Sequence, residues 1–213
     1  EDELMFVPED TLRSFGCGNP GAIAQIKPGE TVLDLGSGGG IDCFIAARRV
    51  QKEGLVIGID MTQEMINISR KAARENEYTN IDFRLGEIEN LPVADSSVDI
   101  IISNCVINLS PDKPRVFSEA YRVLKNGGRL RISDMVSKEP LSKEISKNLE
   151  LYVSCIGGAV FVDELKGMLQ DSGFKGVEIQ FEKNDESTQK NCAAGTKAEG
   201  IVASARIKAY KAN

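Results

Sequence analysis

At 213 residues and 23.2 kDa, with 41% hydrophobic and 27% charged residues, the chain can bury a substantial core as one large domain or at most two small ones. Its 26 basic residues against 32 acidic ones leave a net charge of −6, so there is no basic excess to displace counterions from nucleic acid or to settle on an anionic membrane. No apolar run approaches the roughly 20 residues that cross a bilayer, and the opening Glu1-Asp2-Glu3 is no secretory leader.

In chain order, short β-branched runs alternate with segments of helical period. Thr31–Leu35 is a first strand, followed by Gly36-Ser37-Gly38-Gly39-Gly40 and then by Ile41, Phe44 and Ile45 on one face of a helix. Residues 55–60 form a second strand, and a helix follows with Thr62 as its N-cap. Residues 81–85 and 98–103 are the third and fourth strands. Ser110 and Pro111 then open a helix as N-cap and first residue. Its face is Phe117, Ala120, Tyr121 and Leu124, and Asn126-Gly127-Gly128 closes it as a left-handed cap before a fifth strand at 129–136. Two helical stretches, 141–152 and 162–172, lead to strands at 176–183 and 203–211 joined by the polar loop 184–200. Five strands linked by right-handed helical crossovers make an open parallel sheet with helices on both faces. The last two strands have no crossover helix between them and are expected as an antiparallel pair at the sheet edge. The expected organisation is an arm at 1–30 and one α/β domain at 31–213.

The cysteines are Cys17, Cys43, Cys105, Cys155 and Cys192. An odd, scattered set without a signal peptide is no secreted disulfide framework, and without a CxxC pair it supports no zinc knuckle. Reduced thiols in a cytoplasm are expected. The chain opens on Glu1 rather than Met, as a truncated or processed chain would. It has no histidine, which removes every His-based triad, general base and metal ligand.

Glycines directly after a first strand allow a tight turn and close approach of a ligand, although a tight β–α turn alone uses them too. Asp60 closes the second strand, where a carboxylate can accept both ribose hydroxyls, and Gly86-Glu87-Ile88 follows the third strand, placed to flank a purine. A dinucleotide fingerprint would want glycine where Ile41 stands. An acid at Asp34, two residues before Gly36, suits a cationic ligand with an amino-acid tail better than a polyphosphate. The loop Asp34-Leu35-Gly36-Ser37-Gly38 resembles the D/E-x-G-x-G motif of class I S-adenosylmethionine methyltransferases, as does Leu124-Lys125-Asn126-Gly127-Gly128. The resemblance implies a Rossmann-like, seven-stranded, mostly parallel sheet with an antiparallel last strand. It also implies that Asp34, Gly36, Ser37 and Gly38 hold the methionine end, Asp60 the ribose, and Met61 and Ile88 the adenine faces. Asn104 would lie beside the same ligand.

In such a sheet the tip of strand four faces the transferable methyl, and Cys105 stands there, although a strand-end cysteine can also be a small buried hydrophobe. Cys17, in Phe15-Gly16-Cys17-Gly18, reads as an accessible loop thiol. Cys155, before Ile156-Gly157-Gly158-Ala159, lies in the segment that commonly roofs such sites. Segments 15–18, 33–43, 58–62 and 155–159, and above all Ser103-Asn104-Cys105-Val106-Ile107-Asn108-Leu109, resemble the arsenite S-adenosylmethionine methyltransferase family. That resemblance implies that Cys17, Cys105 and Cys155 bind trivalent arsenic and support its methylation. It also implies a thiol reductant of thioredoxin or glutathione type to reverse disulfides formed among the cysteines. Soft, thiophilic arsenic selects thiolates. Its lone pair carries no proton, so a chain without histidine can run the reaction without a general base. The family often shows a further cysteine upstream and a longer C-terminal portion. Cys43 is expected as packing, and Cys192 as an exposed or resolving thiol.

Three rival readings are distinguishable. A small-molecule C- or N-methyltransferase with structural cysteines keeps activity when Cys17 or Cys155 becomes Ser. A non-catalytic, thiol-based arsenic-binding protein has no need of Asp34 and Asp60. A nicotinamide dehydrogenase lacks both the fingerprint and a hydride-transfer partner.

Overall fold

A computed structural model describes residues 25–182 and 198–213. Among these residues eight strands form one sheet: β1 Thr31–Leu35, β2 Leu55–Asp60, β3 Ile81–Leu85, β4 Val98–Asn104, β5 Leu124–Ser137, β6 Val160–Phe161, β7 Lys175–Phe181 and β8 Val202–Tyr210. The helices are α1 Ile41–Val50, α2 Gln63–Glu75, α3 Lys113–Val123, α4 Lys143–Ser146, α5 Leu149–Val153 and α6 Val162–Asp171. The spatial order is β3-β2-β1-β4-β5-β8-β7, with β6 paired to β5. Strands β1 to β6 pair in parallel, and β8 runs antiparallel to both β5 and β7. This is the expected α/β sheet with its antiparallel last strand, and β8 is inserted inside β7 rather than added outside it.

The continuous apolar runs follow from burial on both faces of the sheet, where every side chain needs a dry neighbour. Strand alternation divides β1 between two cores. Leu33 and Leu35 join Ile101, Phe117, Leu169 and Phe174 on one side. Val32 joins Phe44, Ile66, Phe83 and Ile100 on the other. Asp34 has the parity of Val32 and therefore faces α1, a fact the site depends on.

Three boundaries differ from the sequence expectation. Helix α3 is capped by Asp112, whose carboxylate accepts from Arg115 N at 3.1 Å, with a proline in its first turn. Ser110 instead closes a short 3-10 turn, Ile107–Leu109, and gives its hydroxyl to Glu89. At the other end α3 stops at Val123, because fully buried Leu124 is already extended and pairs with Val98. The glycines that were expected to cap the helix lie within β5, where the pairing shifts register between Val98 and Ile100, and Gly127 takes φ +76°. Core burial of Leu124 outweighs the local capping signal there. The stretch 141–152 divides into α4 and α5, because Asn148 turns its side chain onto Leu151 N and starts a new helix. The two-residue β6 had no periodicity to announce it. The loop expected at 184–200 lies outside the described residues up to 197, and buried Ala198 opens the final turn into β8.

Candidate functional site

The chain crosses from β3 back past β1 to β4, so the sheet reverses its winding between β1 and β4. Strand ends diverge at such a point and leave a crevice at their carboxyl edge. A cavity of about 320 Å³ lies there, bounded by the ends of β1, β2 and β4 and the start of α1.

Its floor is the glycine loop. Gly36 N and Ser37 N both donate to Ile59 O, at 2.8 and 2.9 Å, which folds the loop back over β2. Gly38 N donates to Asp60 Oδ2 at 2.9 Å, and Thr62 N to Asp60 Oδ1 at 2.8 Å. Asp60 thus ties the loop to the start of α2, whose N-cap Thr62 makes no side-chain cap hydrogen bond of its own. Gly36 has φ +72°, and a Cβ on it would stand 2.5 Å from Val106 Cγ2. Only glycine fits that backbone.

Among the described residues three carboxylates, Asp34, Asp42 and Asp60, line the cavity, and no lysine or arginine does. Burial pushes Asp34 well above the usual carboxylate range, and the charges of Asp42 and Asp60 push it further. Burial also raises Asp42, opposed by a hydrogen bond from Asn104. Beneath the loop the Cys43 thiol donates to Asp34 Oδ2 at 3.3 Å. Burial raises that thiol, and the neighbouring Asp34 raises it again, so it stays protonated as a donor. Cys43 is packed, as expected, and it also orients Asp34. Two buried oxygens at this wall, Ser37 Oγ and Asn104 Oδ1, have no hydrogen-bond partner among the described residues. A cationic, hydroxyl-bearing ligand supplies what both features lack: positive charge for the carboxylates and donors for the orphaned oxygens. These residues fit S-adenosylmethionine.

Asp34, Gly36, Ser37, Gly38, Asp60 and Asn104 come together on this wall. Met61 does not, standing 77% exposed, with Thr62 and Met65 lining the cavity beside it. Gly86, Glu87 and Ile88 lie past the end of β3, outside the wall. Gly86 N donates to Asp60 O at 3.0 Å, Glu87 is exposed, and Ile88 is packed in the core. Asp42 and Met65 were not singled out in the sequence. Asp42 sits one residue into a helix opened by glycines, and this position was the available signal.

Cys105 follows β4 directly and lines the cavity. Cys155 ends the turn after α5, and its Sγ donates to Cys105 O at 3.2 Å. Both are thiols rather than half-cystines, each 8% exposed, and they pack in one cluster with Met135, Ile156 and Ala159. Both take left-handed backbone angles, φ +54° at Cys105 and +63° at Cys155. Non-glycine residues hold such angles only where their surroundings enforce them, and these residues concentrate at functional sites. The structure therefore joins two of the three cysteines singled out in the sequence. Cys17 and Cys192 lie outside the described residues. Among the described residues no group of three or more His, Cys, Asp or Glu is arranged for a metal ion.

Sequence reasoning also missed Asn108 and Asp134, which lie buried behind Cys155. Asn108 was visible as the one polar residue within Val106-Ile107-Asn108-Leu109.

The fold and this cavity are those of a class I, S-adenosylmethionine-dependent methyltransferase domain. Residues 26–173 match the family described as a methyltransferase domain. The chain is 50% identical over 188 residues to the arsenite methyltransferase of Halobacterium salinarum, covering 88% of this chain and 48% of that protein. It is 41% identical over 175 residues to human arsenite methyltransferase, covering 78% of this chain and 46% of that protein. The crystal structure of an arsenic(III) S-adenosylmethionine methyltransferase from Chlamydomonas reinhardtii superposes with a TM-score of 0.78 at 32% identity, over 100% of this chain and 72% of that one. The chain belongs to the arsenite S-adenosylmethionine methyltransferase family. It spans about half the length of the curated relatives it matches.

Proposed function

We propose that the chain methylates trivalent arsenic held by the thiolates of Cys17, Cys105 and Cys155, with S-adenosylmethionine as methyl donor. The observation that carries this reading is Cys105 at the end of β4, on the cavity wall, with Cys155 Sγ hydrogen-bonded to its carbonyl. Family membership supports the same assignment.

Asp34 would take the cofactor's ammonium, with Cys43 fixing the carboxylate from below. Asn104 and Ser37 would accept from donors of the same end. Asp60 would serve the ribose hydroxyls, and Met61, Gly86, Glu87 and Ile88 the adenine end. The bound cofactor supplies a sulfonium methyl with a neutral thioether as leaving group.

Each cysteine binds arsenic as its thiolate and gives up its proton on ligation. The thiol protons leave with the hydroxyl groups displaced from arsenite, as water. The arsenic lone pair carries no proton, and the chain's residues need not remove one during transfer. Their contribution is position, since a centre fixed by thiolates presents its lone pair along one direction. Transfer of a methyl cation leaves arsenic formally two electrons poorer. A pair of cysteine thiolates can return those electrons by closing a disulfide, which a thioredoxin- or glutathione-type thiol then reduces. Such a cycle belongs in a reducing compartment, the cytoplasm. Among the described residues no helix is long and apolar enough to cross a membrane. An arm at 1–30 bringing Cys17 to the domain at 31–213 completes the proposal.

The test is transfer of labelled methyl from S-adenosylmethionine in the presence of arsenite and excess thiol, for the parent and for Cys105→Ser. Labelled methylarsenic from the parent alone is expected. Retained binding of S-adenosylmethionine with no labelled arsenical from the parent would overturn the acceptor and leave a methyltransferase for another substrate.

A further inference from the structure

A buried polar strut runs behind the two thiols. Asn108 lies in the 3-10 turn three residues after Cys105 and is only 4% exposed. Its Nδ2 donates to Asp134 Oδ1 at 2.8 Å, to Met135 O at 2.7 Å and to Cys155 O at 3.2 Å. An amide nitrogen has two protons, so the longest of the three contacts shares one of them. Asp134, in the middle of the β5–β8 pairing, grips Asn108 from the other side. Its Oδ2 accepts from Asn108 N at 3.3 Å, while Oδ1 also accepts from Met135 N at 2.8 Å. The loop after Cys155 closes onto the same residue without clearance, since a Cβ on Gly158 would stand 2.1 Å from Asn108 O.

We infer, on the reading above that Cys105 and Cys155 hold arsenic, that Asn108 is a positioning residue. With Asp134 it sets the Cys155 loop against the Cys105 tip so that both thiols meet one arsenic atom. Two observations lead there. The left-handed backbone at both cysteines costs free energy that neighbouring contacts must repay. From the turn after β4, Asn108 Nδ2 reaches the Cys155 carbonyl and is anchored in turn by a carboxylate on β5. Asn108 is also absent from the cavity wall that Asp34, Asp60 and Asn104 form. Its effect is therefore specific to the thiol pair and leaves the cofactor alone. Groups that orient metal ligands from behind typically change affinity by ~10–100-fold when removed, and the same range is expected here.

The experiment uses the full chain, reduced, as parent, Asn108→Ala, Asp134→Asn and Cys155→Ser. The probe is phenylarsine oxide, which exchanges its oxygen for two thiols with loss of one water; its binding is measured with Cys17→Ser in every protein, so that it reports the Cys105 and Cys155 pair. Its dissociation constant is measured beside that of S-adenosylmethionine and the melting temperature, and KM for arsenite beside KM for S-adenosylmethionine. The expected result is a phenylarsine oxide affinity ~10–100-fold weaker in Asn108→Ala, a raised KM for arsenite, and parent-like values for S-adenosylmethionine. Asp134→Asn keeps one accepting oxygen and is expected to show a smaller loss of the same kind. It decides the matter should Asn108→Ala fail to fold. Parent-like arsenical affinity in the variants, or equal weakening of both ligands, overturns the proposal while Cys155→Ser still loses binding. If Cys155→Ser binds phenylarsine oxide as the parent does, the thiol assignment itself is wrong and the strut has no such role.

Discussion

Replacing Asp134 by Asn exchanges a carboxyl group for a near-isosteric amide at a position only 3% exposed. Burial lifts the Asp134 pKa from 3.8 to about 7, against the opposing pull of amide donors from Met135, Asn108 and Ile107 and of the Lys113 charge. Below about pH 4 the folded and unfolded states both hold the proton, and the group has no effect on the pH dependence. As pH rises the unfolded chain ionises first while the fold keeps its proton. Stability then declines until the folded group also ionises near pH 7. The pKa difference corresponds to about 4 kcal/mol in all, of which about 2–3 kcal/mol is lost between about pH 5 and about pH 8. Asn cannot titrate, so the parent should lose about 2–3 kcal/mol more than Asp134→Asn over that interval. Burial also raises Asp34 and Cys43, but these are common to both proteins and cancel in the difference. Urea unfolding followed by far-UV circular dichroism, with reductant and constant ionic strength at both pH values, measures it. Parallel pH profiles for parent and variant would show that the buried carboxyl is already ionised in the fold and refute the burial argument.

The glycine loop and the capping of α3 supply two further expectations. Gly36→Ala places a methyl against Val106 at φ +72°, so it should lower the melting temperature by more than left-handed strain alone, which is about 1–2 kcal/mol. Gly38→Ala at φ +51° meets no atom of the described residues within 4 Å and should fold with only that strain, yet lose S-adenosylmethionine affinity by calorimetry. Equal loss of stability in both variants would contradict the close approach of Val106. Asp112→Ala removes the side-chain acceptor of Arg115 N and should cost about 1 kcal/mol, or about 2–4 °C in melting temperature for a chain of this size. An unchanged melting temperature in Asp112→Ala would show that its carboxylate does not cap α3.

Much of the site was legible because it is local. Asp34, Gly36, Ser37 and Gly38 are consecutive or nearly so, and a strand followed by glycines places them at one strand end whatever the rest of the chain does. Asp60 and Asn104 end their own strands, and parallel pairing of β2 and β4 with β1 carries them to the same edge. The adenine end was less legible. A residue after a strand end leaves the wall with a small change of turn: Met61 precedes α2 and is exposed, whereas Met65, in the first turn of α2, lines the cavity. The boundaries of α3 were missed for the same reason that Leu124 is buried: its side chain belongs to the core, and no rule about caps contains that information.

The sequence by itself determined the alternation of strands and helices, the glycine loop, the acid behind it and the absence of any histidine chemistry, all of which are read from neighbours a few residues apart. It also marked Cys105 as the residue at a strand tip. Only the tertiary structure decided that Cys155, 50 residues on, turns its Sγ to the Cys105 carbonyl. It likewise decided that Cys43 holds Asp34 and that Asn108 and Asp134 brace the thiol loop. Those contacts join residues from different elements, and their hydrogen bonds exist because the buried groups have no water to turn to. Periodicity carries no record of such partners. The packing of β4, β5 and the loop after α5 against one another creates them.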